Sequence, residues 1–299
     1  MELSDQIAQY ILSGLSTGAI YALIGIGFAI IYNATEIINF AQGELVMLGG
    51  MFTLFFINVF ENNGLALAMP LAILLAVAAT TLSGILFERL TIRPLKNPAP
   101  LALVIITIGG SILIRGIAMM LWGKDTHAIP AFSGSEPLLI GSATILPQHL
   151  WIFALTTIAI IANKLFFQYS ITGKAMRACA ANRRAAGLVG IDVKRMVFFS
   201  FAISAALGSL AGIIVAPLTM TSYDVGIMLG LKGFCAAIIG GLSGGVGTVL
   251  GGLLLGILES LGAGLISSGY KDAIAFIILL LILFIRPQGL FSRGQTDRV

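Results

Sequence analysis

Charge is scarce in this chain. Only 10% of its 299 residues are Asp, Glu, Lys or Arg, against roughly 25% in a soluble domain, which is too few to cover a water-facing surface. Histidine and cysteine are scarcer, with two of each. His127 and His149 are isolated, make no metal set and read as ordinary polar surface. Cys179 lies in a basic segment and Cys235 in an apolar run, so they offer neither a disulfide framework nor metal-ligand spacing; both read as small packing residues. General bases are so few that no nucleophile–base–acid arrangement is evident, which argues against a membrane enzyme. The Gly-rich run from Gly240 to Gly256 lacks the Lys-Ser/Thr pair of a phosphate-cradling loop. The net charge of +4 and pI near 9.2 do not point to nucleic acid, because the basic residues gather in a few segments.

What is abundant is hydrocarbon. The chain is 58% hydrophobic with a mean hydropathy of +1.02, in long continuous runs rather than alternating ones, which predicts an all-α, polytopic transmembrane helix bundle and not a barrel. Runs long enough to span lie near 8–32, 37–60, 65–88, 100–122, 149–168, 196–218, 245–267 and 272–289. A shorter Gly-interrupted run near 226–243 makes the number of spans eight or nine. The first six residues, MELSDQ, hold no Lys or Arg, and no clear cleavage site follows, so the first run is expected to be a retained span.

Basic residues set the expected orientation. Arg89, Arg93 and Lys96 follow the third span, Lys164 and six residues of 173–195 follow the fifth, and Arg286, Arg293 and Arg298 close the chain, which places thirteen of the seventeen Lys and Arg at three sites. These should be cytoplasmic. The segments 60–64, 123–148 and 219–225 hold only Lys124 and should face outward. This parity puts the N-terminus outside, and the C-terminus inside if 226–243 crosses. The external stretch 123–148 is long, rich in Pro, Gly and Ser, and expected to be loop or short strands.

Ionisable residues inside apolar runs are costly in lipid, by roughly 2.5–3.5 kcal/mol each, so Glu44, Arg115, Lys232 and Glu259 should face protein or water. Glu44 closes a polar island with Asn39 and Gln42. It is either a pathway-lining or gating position or part of a hydrogen-bonded helix junction. Asn39, Gln42, Glu44 and Glu259 form the candidate pathway or gating set. Interhelical pairing is expected for Arg115, Lys232 and Glu259. Glycines four apart, such as Gly240/Gly244, Gly247/Gly251 and Gly252/Gly256, suit close helix packing.

The stretch GKAMRACAANRRAAGLVGIDVKR, 173–195, is basic, rich in Ala and long for a plain link. Strong helix formers predict a helix of about 14 residues over 175–188, ended by Gly187 or Gly190, with Asp192 capping the next one. Such a helix is marginal alone in water and needs a docking partner. It is either an orientation signal on the membrane surface or a docking helix for a cytoplasmic motor.

RACAANRRAAGLVGID before a span, INFAQGELVMLGG early and GGLSGGVGTVLGGLLLGILE late together resemble the permease subunits of branched-chain amino acid ABC importers, and most resemble the shorter of the two permeases. The likeness covers essentially the whole chain. It implies a single transmembrane permease domain, 1–299, in the bacterial inner membrane. It also implies a second permease subunit, two cytoplasmic ATP-binding subunits that hydrolyse ATP, an external substrate-binding protein, and no cofactor. The family's ATPase contact falls on Arg177, Ala180, Ala181, Asn182, Gly187 and Gly190 in the loop 169–195. Arg177-Ala178-Cys179 stands where many ABC importers have Glu-Ala-Ala, which fits the branched-chain subgroup. Close relatives carry urea, short amides or other amino acids. A stand-alone secondary transporter or channel would explain the spans and buried charges too, but would need no docking helix and would usually show inverted repeats.

Overall fold

The computed structural model describes residues 3–62, 68–95, 99–134, 136–140, 143–242 and 245–291. The helices are α1 Leu3–Thr35, α2 Gln42–Asn62, α3 Ala68–Phe87, α4 Pro100–Trp122, α5 Pro147–Tyr169, α6 Ile171–Ala181, α7 Arg183–Leu188, α8 Val193–Thr219, α9 Val225–Gly240, α10 Val246–Leu265 and α11 Lys271–Ile285. A π turn, Glu88–Ile92, extends α3, and a 3-10 turn, Ser268–Tyr270, leads into α11. Eight helical stretches are long and apolar enough to span a bilayer, and α9 is a shorter apolar helix of 16 residues. At 1.5 Å per residue α9 is about 24 Å long, short of the ~30 Å hydrocarbon core.

α1 is the axis of the bundle. It is almost wholly buried and packs on α5, α8, α9 and α10, whereas α5 and α11 keep most of their surface outside the fold. Membrane helices gain nothing from hiding one apolar face from another in lipid, so van der Waals contact must hold them, and that contact deepens where side chains are small. The α1–α10 seam shows this. A Cβ on Gly18 would sit 2.7 Å from the Gly252 carbonyl oxygen, and one on Gly14 2.7 Å from Cα of Ile257. The expected Gly252/Gly256 pair is therefore the α10 half of a glycine-to-glycine contact. The expected Gly247/Gly251 pair faces Gly240 of α9; Gly244 lies outside the described residues.

Contacts between helices also fix their directions. α10 runs antiparallel to α1, with Gly14 against Gly256 and Gly25 against Thr248. α9 runs parallel to α1, with Gly25 against Gly233 and Asn33 Nδ2 donating to the Leu242 carbonyl at 3.4 Å. α9 therefore does not turn back: α8 ends at one end of the bundle and α10 begins at the other.

One end of the bundle carries a small antiparallel hairpin, β1 Leu138–Ile140 with β2 Ala143–Ile145. The Gln9 side chain docks there like an extra strand residue, donating to the Thr144 carbonyl and accepting from its N–H, both at 2.8 Å. His127 and Thr221 exchange two backbone hydrogen bonds of 2.8 Å, fastening the loop to the α8–α9 link. The expectation of loop or short strands over 123–148 is met within the described residues up to 146; Pro147 and Gln148 already open α5. His149 differs from its expected surface role: it is half-buried, with Nδ1 2.6 Å from Ser16 Oγ across α5 and α1. At the opposite end the basic segments converge. Arg89 stacks 5.6 Å over the Phe198 ring, and Leu290 N–H donates to the Ile239 carbonyl, bringing in the segment after α11.

Candidate functional site

At the basic end, α5 turns into α6 over one residue. Ser170 caps α6 by accepting from Gly173 N–H at 2.9 Å. Gly173 is essential to the fit, because a Cβ there would lie 2.7 Å from Cα of Phe167. Met176, Cys179 and Ala186 bury the inner face, and burial pushes the Cys179 thiol above its ordinary range. The single helix expected over 175–188 is broken. Asn182 takes an extended conformation and its Oδ1 accepts from Ala185 N–H at 3.0 Å, capping α7. Its side chain competes with the helix for the backbone. α7 ends as expected near the glycines: Gly190 adopts φ +89°, with Ile191 N–H bonded to the Ala186 carbonyl and Gly190 N–H to Gly187, a Schellman motif. Asp192 Oδ1 accepts from Arg195 N–H at 3.2 Å and caps α8.

The outer face of this pair is bare. Arg177, Ala180, Ala181, Asn182, Gly187 and Gly190 are all exposed, and Arg177 and Ala180 also border a cavity between α6, α1 and α10. Sequence reasoning did not single out two exposed apolar neighbours of these residues: Leu188 is 88% exposed and Val189 78%. Beside α6 this mostly apolar cavity of about 650 Å³ opens toward α1 and α10, bordered by Met176, Arg177, Ala180, Ile30 and Val249. α6 packs on α5, α1 and α8, and the cavity lies on its side toward α10.

The four candidate pathway residues do not form one group. Asn39 and Gln42 hold the α1–α2 junction: Asn39 Oδ1 accepts from Ala41 N–H at 3.1 Å, and Gln42 Nε2 donates to the Ser204 carbonyl at 3.1 Å. Ser204 Oγ lies 2.7 Å from Gln42 Oε1 and 2.9 Å from the Gly27 carbonyl oxygen, so one hydroxyl proton serves two acceptors. Glu259 belongs to a second group. Its Oε1 accepts from Tyr21 Oη at 3.1 Å and Lys232 Nζ at 2.9 Å, with Lys271 Nζ at 3.5 Å, while Lys232 also meets Asp272 Oδ1 at 2.6 Å. This network ties α1, α9, α10 and α11 together, so the interhelical pairing expected for Lys232 and for Glu259, without named partners, is met by the two residues pairing with each other. Tyr21, Asp272 and the buried Glu88 had no distinguishing sequence signal.

Glu44 lines a cavity. Ser111 Oγ donates to Glu44 Oε1 at 2.7 Å, and Arg115 Nε lies 3.5 Å from the same oxygen, longer than a good hydrogen bond. Glu44 Oε2 is buried without a hydrogen-bond partner among the described residues. The cavity, about 140 Å³, lies between α2, α4 and α9, with the Phe28, Phe40 and Phe234 rings along one wall.

Residues 10–283 match the family model described as the branched-chain amino acid transport system / permease component. The chain belongs to this family. It is 32% identical, over 97% of both chains, to the high-affinity branched-chain amino acid transport system permease protein LivH of Escherichia coli (strain K12). It is 34% identical, again over 97% of both, to the BraD permease protein of the same kind of system from Pseudomonas aeruginosa. A solved structure described as an inward-facing metal-chelate type ABC transporter superimposes with a TM-score of 0.51 at 17% identity, over 95% of this chain and 89% of that one, which makes the fold that of an ABC transporter permease. As a member of this permease family, the chain is a multi-pass membrane transport component.

Proposed function

We propose that this chain is one permease subunit of an ATP-driven importer of branched-chain amino acids in the bacterial inner membrane. It forms half of the translocation pathway with a second permease subunit. Two cytoplasmic ATP-binding subunits drive it, and an external substrate-binding protein feeds it. The basic end is cytoplasmic, since Lys and Arg collect there, and the hairpin end is external, with the loop 123–148 part of the binding-protein dock.

The observation that carries this reading is the α6–α7 surface. Leu188 and Val189 stand bare beside Arg183 and Arg184, outside any membrane-spanning helix. Apolar side chains so placed in water are stabilised by a partner that covers them. A cytoplasmic ATPase seated there would move α6, whose packing on α1, α5 and α8 would carry the movement into the bundle, with the cavity toward α10 giving it room. A secondary transporter has no use for such a surface.

Full-length relatives named for branched-chain amino acid transport support the cargo assignment over urea or short amides. The test is purification in mild detergent with the partner genes co-expressed, followed by uptake of radiolabelled leucine and urea. Copurifying ATPase and ATP-dependent leucine uptake are expected. A chain that purifies alone and transports without ATP would refute the proposal, and urea uptake without leucine uptake would refute the cargo.

A further inference from the structure

The geometry points to the Glu44–Arg115 cleft as a subsite that recognises the zwitterionic head of an amino acid as it crosses the membrane. This rests on the importer reading above and adds to it where within the fold the cargo's two charges are met.

A free amino acid carries an ammonium and a carboxylate. Each costs several kcal/mol to strip of water in a low-dielectric medium unless protein groups replace the hydration. A path through the bundle therefore needs an acceptor-rich acid and a donor-rich base within a few ångströms of each other, facing free space. The Glu44–Arg115 pair meets this requirement. Glu44 is 1% exposed, and Oε2, one of its two carboxylate oxygens, lacks a hydrogen-bond partner among the described residues. Arg115 is held at 3.5 Å, too loosely to satisfy its guanidinium, and its side chain remains partly accessible. Ser111 adds a hydroxyl on the same wall.

The other buried acid–base group provides the contrast. Glu259 Oε1 is met by Tyr21, Lys232 and Lys271, and Lys232 also by Asp272, at 2.6–3.5 Å. Glu259 Oε2, like Glu44 Oε2, has no hydrogen-bond partner among the described residues, so what sets the Glu44–Arg115 pair apart is the cavity it lines.

Shape and charge agree. The cavity of about 140 Å³ is well below the ~300–1,000 Å³ of drug-sized sites, so a small cargo is the right class. Its far wall is apolar and aromatic, with Phe234 5.6 Å from Phe28 and 5.7 Å from Phe40 between ring centroids, and Ile227 and Leu231 beside them. That wall receives an aliphatic side chain while the head engages Glu44 and Arg115. The pair is neutral overall, as is a zwitterion, so the exchange of an intramolecular ion pair for two cargo contacts buries no net charge. An amide or urea, lacking ammonium and carboxylate, would leave the pair intact and gain little. The cleft also sits deep in the bundle: Gly43, next to Glu44, abuts Gly226 and Gly230 of α9 so closely that a Cβ on Gly43 would strike backbone, and the neighbouring Gln42 is bonded to Ser204 near the middle of α8.

The test uses the assembled importer in proteoliposomes with leucine-loaded binding protein, measuring leucine uptake and ATP hydrolysis together. Glu44→Gln and Arg115→Gln should each lower leucine transported per ATP hydrolysed at least tenfold. Ile227→Trp, which fills the cleft from its more accessible flank, should do the same without touching either charge. A merely structural role would lower uptake and hydrolysis in proportion to lost assembly, leaving the ratio unchanged, and would overturn the proposal. So would a wild-type ratio in Arg115→Gln and Ile227→Trp, whatever the folding of Glu44→Gln. Wild-type leucine import with unaffected variants removes the cleft alone, whereas a wild-type complex that imports only uncharged amides removes the cargo reading and the cleft together.

Discussion

Substitution of Lys232 by Met should be the most destabilising single change among the buried charges, and more so than Glu259→Gln. Lys232 is 5% exposed and Glu259 1%. The ammonium contacts Glu259 at 2.9 Å and Asp272 at 2.6 Å and lies 5.8 Å over the Tyr21 ring. Removing it leaves two carboxylates facing one site, with only the half-exposed Lys271, 3.5 Å from Glu259, to compensate. Uncompensated buried charge costs about 3–5 kcal/mol. Glu259→Gln instead leaves Lys232 paired with Asp272 and keeps a side-chain acceptor for Tyr21, so its cost is nearer the ~1–3 kcal/mol of a damaged buried hydrogen bond. Lys232→Met combined with Glu259→Met removes both charges from the core and should recover much of the loss, because a buried pair replaced by apolar side chains is often near neutral. Thermal unfolding of the purified proteins in one detergent gives the order: wild type, then Glu259→Gln, then Lys232→Met, with the double variant above Lys232→Met. A Lys232→Met protein as stable as wild type, or a double variant worse than both singles, would refute the network.

Further outcomes follow from the surfaces. Leu188→Ser with Val189→Ser should leave thermal stability unchanged, because these side chains bury little, yet abolish ATPase copurification. Ala181→Trp, on the same exposed face, should insert normally and lose either ATPase assembly or the response of hydrolysis to loaded binding protein; wild-type behaviour in all respects would remove Ala181 from the contact. Lys124→Cys and Arg184→Cys should react with an impermeant maleimide from opposite sides of the membrane, and labelling of both from outside would overturn the orientation. Cys179 should stay unlabelled where those engineered thiols react. Its folded-state pKa is raised by burial, so the thiolate is depleted near the ordinary thiol value of about 8.5, and reaction should appear only as pH rises well beyond it or on unfolding.

The helical spans were legible because an apolar run of ~20 residues admits few other structures. The 226–243 run was ambiguous for the same reason: at 16 residues its helix is too short for length to decide, and its direction is set by Gly233 against α1 and Leu242 beside Asn33, contacts no local pattern encodes. The break at Asn182 had a local signal, since Asn caps helices and competes with them, but the flanking Ala-rich propensity masked it. Glu44 was legible as a buried charge; its partner Arg115, 71 positions away in sequence, follows from how α4 lies on α2. Leu188 and Val189 look in sequence like ordinary helix-packing residues. Only the turn of the chain at Gly190 shows that they point away from the fold.

The central claim is that the α6–α7 surface couples this permease to ATP hydrolysis for leucine import. The most direct measurement is leucine uptake by the complete complex in proteoliposomes, with ATP supplied on the ATPase side, for wild type and for Leu188→Ser with Val189→Ser. The account predicts ATP-dependent uptake by wild type and none above background in the variant, although the variant permease itself remains folded. Leucine uptake by wild type that persists without ATP, or full ATP-driven uptake by the variant, would contradict it.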